Sequence, residues 1–355
     1  MAHDPNMEVK IPVFGKEPVW HNVQEKPFDL YGFDGSTPDF LSSRIPAATA
    51  AQISEGVLGF SGFAAGGRVR FWTDSSVIAI RASYGEAYHP TSLNACLVHG
   101  FDLYTVGPDG RETYAHTYRP SKNILDNDVF EAEYKTRQPG GAYYTLNFPY
   151  YSEVRSLFIG LDEGCTLRAG FPYVNEKPVI FYGPSITHGA AACRPGNSYQ
   201  SFLSQWLNMD YVNLGFAGRA LGEAELAHYI AGREMSVFVL DYDGNAPDAA
   251  YLQKTHYPFY EIVRKAHPAL PVVMLSLPPC PMRPPEERGL RREVIRASYE
   301  KARAAGDENV YFVDGETFFK GEDRESCTID GIHPNDIGFF RMAKKLEEQI
   351  RQLIG

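Results

Sequence analysis

Residues 177–189 read Lys177-Pro178-Val179-Ile180-Phe181-Tyr182, followed by Gly183-Pro184-Ser185-Ile186-Thr187-His188-Gly189. The first part is a short, wholly apolar run, which predicts a strand buried on both faces. From here the chain alternates. Further strands are predicted over residues 211–214, 236–240, 271–276 and 310–313, and helices over 198–207, 223–231, 249–266, 286–305 and 336–354. His267-Pro268 closes the third helix, because the residue before a proline is pushed out of helical geometry. Five βα units with right-handed crossovers give an α/β fold, a flavodoxin-like three-layer α/β/α domain with five parallel strands. Such sheets bind ligands outside the carboxyl ends of their strands.

That rule directs attention to the segment after each strand. The first strand runs into Gly183-Pro184-Ser185, the second into Gly215-Phe216-Ala217-Gly218, and the third into Asp241-Tyr242-Asp243-Gly244-Asn245. After the fifth, before the last helix, stands Asp330-Gly331-Ile332-His333. A hydroxyl, a glycine turn, an amide and an Asp/His pair thus open onto one rim. Acyl transfer needs this set: a nucleophile, a base, a group that orients the base, and donors for the forming oxyanion. Each piece alone has a plainer reading. Ser185 is a fair helix N-cap, Gly215 and Gly218 are ordinary turn glycines, Asn245 and Asp330 suit Asx turns, and His333 suits a surface. Their conjunction at one sheet edge outweighs those readings.

Other chemistries lack their patterns. There is no Gly-x-Ser-x-Gly elbow, no Gly-x-Gly-x-x-Gly after the first strand, no Walker loop and no His-Glu-x-x-His. His188, His256 and Asp243 are too dispersed for an ordinary metal site. Cys193 and Cys280 read as small buried packing residues.

Upstream of residue 173 the texture changes to short β-rich runs at 69–72, 76–81, 96–99, 143–148 and 156–161. They are separated by turns such as Asp74-Ser75 and Pro108-Asp109-Gly110. With no helical stripe evident between them, they predict a β-sandwich of jelly-roll type. The expected organisation is an N-terminal arm or added strand over 1–22, a β-sandwich over 23–173 and a catalytic domain over 174–355. Among the 355 residues, 44 acidic against 34 basic side chains leave a formal charge of −10, which argues against a nucleic-acid partner. No apolar run is long enough for a membrane span and no secretory signal opens the chain. The expectation is a soluble protein, cytoplasmic, or secreted or periplasmic if a signal was removed. Five scattered cysteines without a Cys-x-x-Cys pair argue against a disulfide framework.

At these residues the sequence resembles the SGNH (GDSL-like) hydrolases, named for Ser, Gly, Asn and His in four blocks. Ser185 matches the first block, with Pro184 in place of the usual aspartate; Gly218 matches the second, Asn245 the third, and Asp330 with His333 the last. Gly100-Phe101-Asp102-Leu103-Tyr104 resembles the Gly-x-Asp-Leu-Tyr motif in the N-terminal β-sandwich of a two-domain bacterial esterase branch. The resemblance implies a serine esterase acting on short-chain carboxylic esters, with O-acetylated carbohydrate as the candidate substrate. It implies Ser185 as nucleophile, His333 as base and Asp330 as its orienter. The oxyanion hole would come from Ser185, Gly218 and Asn245, with no cofactor or metal. An acyltransferase using the same triad on a small alcohol is the alternative, and a carbohydrate-binding protein with an inactive hydrolase domain a weaker one.

Overall fold

Gly183 lies directly opposite Gly215 across two parallel strands, and this register sets the level of everything at the sheet edge. The computed structural model describes residues 16–34, 41, 43–120, 124, 125 and 128–355; most of the expected arm, residues 1–15, lies outside them. The described chain forms two compact units. The first comprises described residues up to Arg44 with Gly62–Pro172 and Cys193–Gly196, the second Ile45–Ser61, Tyr173–Ala192 and Asn197–Gly355.

The first unit is antiparallel. Strands β1 (Val19–Asn22), β9 (Ser152–Leu161), β4 (Val77–Ala87) and β7 (Val129–Lys135) form one sheet in that order. The other runs β10 (Leu167–Ala169), β3 (Arg68–Thr73), β8 (Ala142–Asn147), β5 (Phe101–Val106) and β6 (Glu112–Tyr118), with β2 (Asp29–Tyr31) on β3. Setting aside the two short strands β2 and β10, the chain-order pattern is 1-8-3-6 over 2-7-4-5, a jelly roll. Alternate residues of each strand point inward, so Val69, Phe71, Leu103 and Leu146 from one sheet share a core with Ile78, Ile80, Phe130 and Ile159 from the other. The motif aspartate, Asp102, is fully buried on β5. It accepts the Gly196 N–H at 2.8 Å and Asn147 Nδ2 at 3.0 Å, and pairs with Arg194 Nε at 3.2 Å.

Two sequence expectations for this half need correction. The run 96–99 is not a strand but the short helix α3 (Ala95–Val98), because Asn94 Oδ1 caps it by accepting the N–H groups of Cys96 and Leu97. A helical pair, α1 (Ala47–Ile53) and α2 (Glu55–Ser61), also interrupts the β texture. Its Ala-rich start favours a helix, and Ala50 and Val57 belong to the core of the second unit.

The second unit has a parallel sheet ordered β12 (Tyr211–Gly215), β11 (Val179–Gly183), β13 (Val237–Leu240), β14 (Val272–Leu275), β15 (Val310–Val313). This 2-1-3-4-5 order is the flavodoxin-like arrangement. Four further helices, α6 (Ala224–Ala231), α7 (Ala249–Ala266), α8 (Pro285–Ala304) and α9 (Asp336–Ile354), join α5 (Tyr199–Leu207) and the single turn α4 (Ser185–His188). Ile180, Tyr182, Leu214, Phe238 and Leu240 pack against Leu226, Ile230, Phe259 and Ile295 of α6–α8. Phe181, pointing the other way, meets Tyr199 of α5 edge-on, and Tyr199 stacks on Phe339 of α9. The sheet is therefore covered on both faces.

Candidate active site

The turn that carries Ser185 leaves β11 through Gly183, where a side chain has no room. A Cβ at Gly183 would lie 2.1 Å from Thr187 Oγ1 and 2.3 Å from the Asp241 carbonyl oxygen. The single turn α4 follows, and Gly189, at φ +108°, ends it in a left-handed conformation where its N–H returns to the Ser185 carbonyl. Ser185 stands at the first position of this turn, half-buried.

The other end of the chain brings Asp330 and His333. Gly331, at φ +78°, turns the backbone between Asp330 and His333. Asp330 Oδ1 accepts the N–H groups of Ile332 at 2.9 Å and His333 at 2.7 Å, while Oδ2 meets His333 Nδ1 at 2.7 Å. His333 Nε2 then lies 2.9 Å from Ser185 Oγ. Partial burial opposes ionisation of Asp330, but the His333 N–H, its ring and the Ile332 N–H outweigh that and hold the carboxyl below its ordinary value. An ionised Asp330 accepting from Nδ1 leaves Nε2 as the acceptor facing Ser185.

Gly218 has φ +71°, and open space lies where a side chain would be. Among the described residues no protein acceptor takes the N–H of Ser185 or of Gly218. Asn245 accepts the Ala220 N–H on Oδ1 at 3.3 Å, and among the described residues no protein acceptor takes its Nδ2. Hydrogen bonds tie all four blocks together. The Phe216 N–H donates to the Gly183 carbonyl, the Ala220 N–H to Asn245, and the Ala191 N–H to the Pro334 carbonyl. Asn197 Nδ2 donates to Asp336 Oδ2 at 2.8 Å.

Sequence reading missed Arg291. It is 1% exposed, and its guanidinium donates to the carbonyls of Asp243, Ala246 and Pro247, clamping the loop that carries Asn245. Its signal was present: Arg291, Ile295, Ser298 and Ala302 form the buried stripe of α8, so a cation occupied an apolar position. The set-aside metal candidates are not gathered; among the described residues no group of three or more His, Cys, Asp or Glu side chains could hold an ion. His256 is fully buried and stacks on Tyr242, and burial pushes its imidazole down to about 3. Cys280 is buried as expected, whereas Cys193 is exposed and fills no core.

Among the described residues no helix is long and apolar enough to cross a membrane. Residues 176–351 match the GDSL-like lipase/acylhydrolase family, and residues 18–167 match the GxDLY family, the N-terminus of SGNH-hydrolase-type esterases. No curated protein matches this sequence. A protein from Bacteroides ovatus named as a GDSL-like lipase is 27% identical with TM-score 0.84, covering 94% of this chain and 97% of that one. Two less similar structures share the fold. One is a salicylyl-acyltransferase of a tetracycline biosynthetic pathway, at 21% identity and TM-score 0.77, covering 95% and 97% of the two chains. The other is a family two carbohydrate esterase from Clostridium thermocellum, at 16% identity and TM-score 0.59, covering 81% and 92%. With both units matched, this chain belongs to the SGNH (GDSL-like) hydrolase family and is an ester-hydrolysing enzyme.

Proposed function

We propose that the protein is a serine esterase that removes short acyl groups, acetyl first among them, from carbohydrate esters through an acyl-enzyme on Ser185. The observation that carries this reading is the unbroken relay Ser185 Oγ to His333 Nε2 at 2.9 Å and His333 Nδ1 to Asp330 Oδ2 at 2.7 Å. Ser185 Oγ attacks the ester carbon as its proton passes to His333 Nε2. The N–H groups of Ser185 and Gly218 and the Asn245 Nδ2 receive the oxyanion. When the C–O bond to the alcohol breaks, His333 returns the proton to the departing oxygen. Water, giving a proton to His333, then attacks the acyl carbon, and as the bond from that carbon to Ser185 Oγ breaks, His333 returns the proton to Oγ and the acid departs. Asp330 remains ionised throughout and stabilises the imidazolium.

The carbohydrate assignment draws support from the family two carbohydrate esterases that share the fold. The test pairs a substrate panel with a variant. Wild-type enzyme should cleave p-nitrophenyl acetate faster than the octanoate and release acetate from acetylated xylan. Ser185→Ala should abolish both while keeping the wild-type melting temperature. A folded Ser185→Ala variant with wild-type turnover excludes Ser185. Preference for octanoate, or acetate captured mainly by a millimolar alcohol acceptor instead of water, excludes the substrate class or favours the transferase.

A further inference from the structure

Pro184 stands where the first family block carries aspartate, so the residue before Ser185 has no N–H to donate and offers no side-chain cap to α4. A four-residue helix has little stability of its own, yet Ser185 Oγ is held at hydrogen-bond distance from His333. The restraint comes from beneath. Thr187 Oγ1 donates to Asp241 Oδ2 at 2.8 Å. The Tyr199 hydroxyl lies 3.4 Å from Thr187 Oγ1. The Thr187 carbonyl accepts both Gln200 Nε2 at 2.7 Å and Asn213 Nδ2 at 2.8 Å. Thr187, Tyr199, Gln200 and Asn213 have no exposed surface, and Asp241 is 2% exposed.

Four polar side chains are thus buried beneath the turn that carries Thr187, and none belongs to the proposed relay. Burying polar groups is costly unless their hydrogen bonds are made, and of these side chains only Gln200 leaves an atom, Oε1, without a partner. They come from α5, β12 and the end of β13, so they fix Thr187 relative to three separate elements. Burial, and then the nearby Asp243, push the Asp241 carboxyl well up, consistent with a neutral acid lodged in the sheet edge.

We propose that Thr187 and Asp241 are positioning residues for the reaction, their hydrogen bond setting the aim of Ser185 Oγ. This rests on the reading of Ser185 as nucleophile.

The test compares wild type with Thr187→Val, which keeps the shape and loses the hydroxyl, and Thr187→Ser, which keeps the hydroxyl. Turnover, KM, melting temperature and the rate of labelling by an alkyl fluorophosphonate are measured on each. In Thr187→Val, kcat and the labelling rate should fall together by roughly tenfold to a hundredfold, the effect of misplacing a reacting atom by about an ångström. KM should stay within about twofold of wild type. Thr187→Ser should recover most of both rates. A purely structural role would lower the melting temperature without changing the kcat or labelling rate of folded protein. A folded Thr187→Val labelled at the wild-type rate overturns the proposal. If Val does not fold, Thr187→Ala against Thr187→Ser makes the same comparison, and equal rates overturn it. Peptide mapping separates the two readings. A wild-type label on a residue other than Ser185 removes the nucleophile assignment, whereas a label on Ser185 with an unaffected Val variant removes only the role of Thr187 and Asp241.

Discussion

Asn245 illustrates how one side chain is committed by its neighbours. Its Oδ1 is occupied by the Ala220 N–H, so only Nδ2 is available to an outside acceptor, and under the proposed mechanism that acceptor is the oxyanion. Asn245→Ala should therefore lower kcat by roughly two to three orders of magnitude with little change in KM, since the bond matures only in the transition state. Steady-state kinetics check this, and a change in KM alone would make Asn245 a ground-state contact. Two positions earlier, Asp243 has no exposed surface to speak of, and one of its carboxylate oxygens, Oδ1, has no hydrogen-bond partner. Burial pushes its carboxyl up to about 6, against the pull of the Leu277 N–H and Arg291. Between the unfolded value of about 3.9 and the folded value, the unfolded chain gives up a proton that the folded chain keeps. The stability this group contributes is complete below about pH 4, is lost as the pH rises to about 6, and stays level above that. Asp243→Asn should accordingly gain melting temperature relative to wild type across that window. A constant difference from pH 4 to pH 8 would show that the carboxyl titrates normally.

At the scale of elements, the loop after β13 and the start of α9 place the side chains of two blocks, and in each one side chain makes several of the bonds that hold it. Arg291 reaches from α8 to three carbonyls of the loop. Arg291→Met fills similar space but leaves the carbonyls of the buried residues Asp243 and Ala246 unpaired. It should cost about 2–5 kcal/mol of stability and lower kcat in the folded fraction, which denaturant unfolding and kinetics on the same preparation can separate. Asn335 caps α9 by accepting the N–H groups of Ile337 and Gly338, and its Nδ2 donates to the Ser326 carbonyl. The helix start three residues after His333 is thereby fixed on both sides. The same capping chemistry explains the misread run at 96–99. A four-residue apolar run suits a strand or a helix equally, and the Asn94 side chain tips it to α3.

For the molecule as a whole, the second unit draws on residues far upstream. Ile45, Ala50 and Val57 lie in the same core as Leu226 and Ala227, and Ser54 Oγ donates to Glu223 Oε1 at 3.2 Å. A fragment beginning at residue 174, where the sequence texture changes, would lack α1 and α2 and expose that part of its core. We expect it to be insoluble or to lack a cooperative thermal transition and near-ultraviolet dichroism. A fragment 174–355 that unfolds cooperatively at the full chain's temperature would show that residues 45–61 are dispensable.

The sequence by itself determined the parallel sheet and the four blocks at its carboxyl edge. Strands buried on both faces must be apolar throughout, and short connections leave few topologies. Polar residues placed directly after such strands, Ser185 after β11 and Asn245 after β13, are carried to one rim whatever the packing details. Tertiary structure alone decided which sheet edges pair in the jelly roll, that α1 and α2 join the distant core, and that Thr187 meets Asp241 while Arg291 clamps the loop before α7. Those choices rest on contacts between residues far apart in the chain. Their energies depend on burial and hydrogen-bond geometry that no local pattern contains.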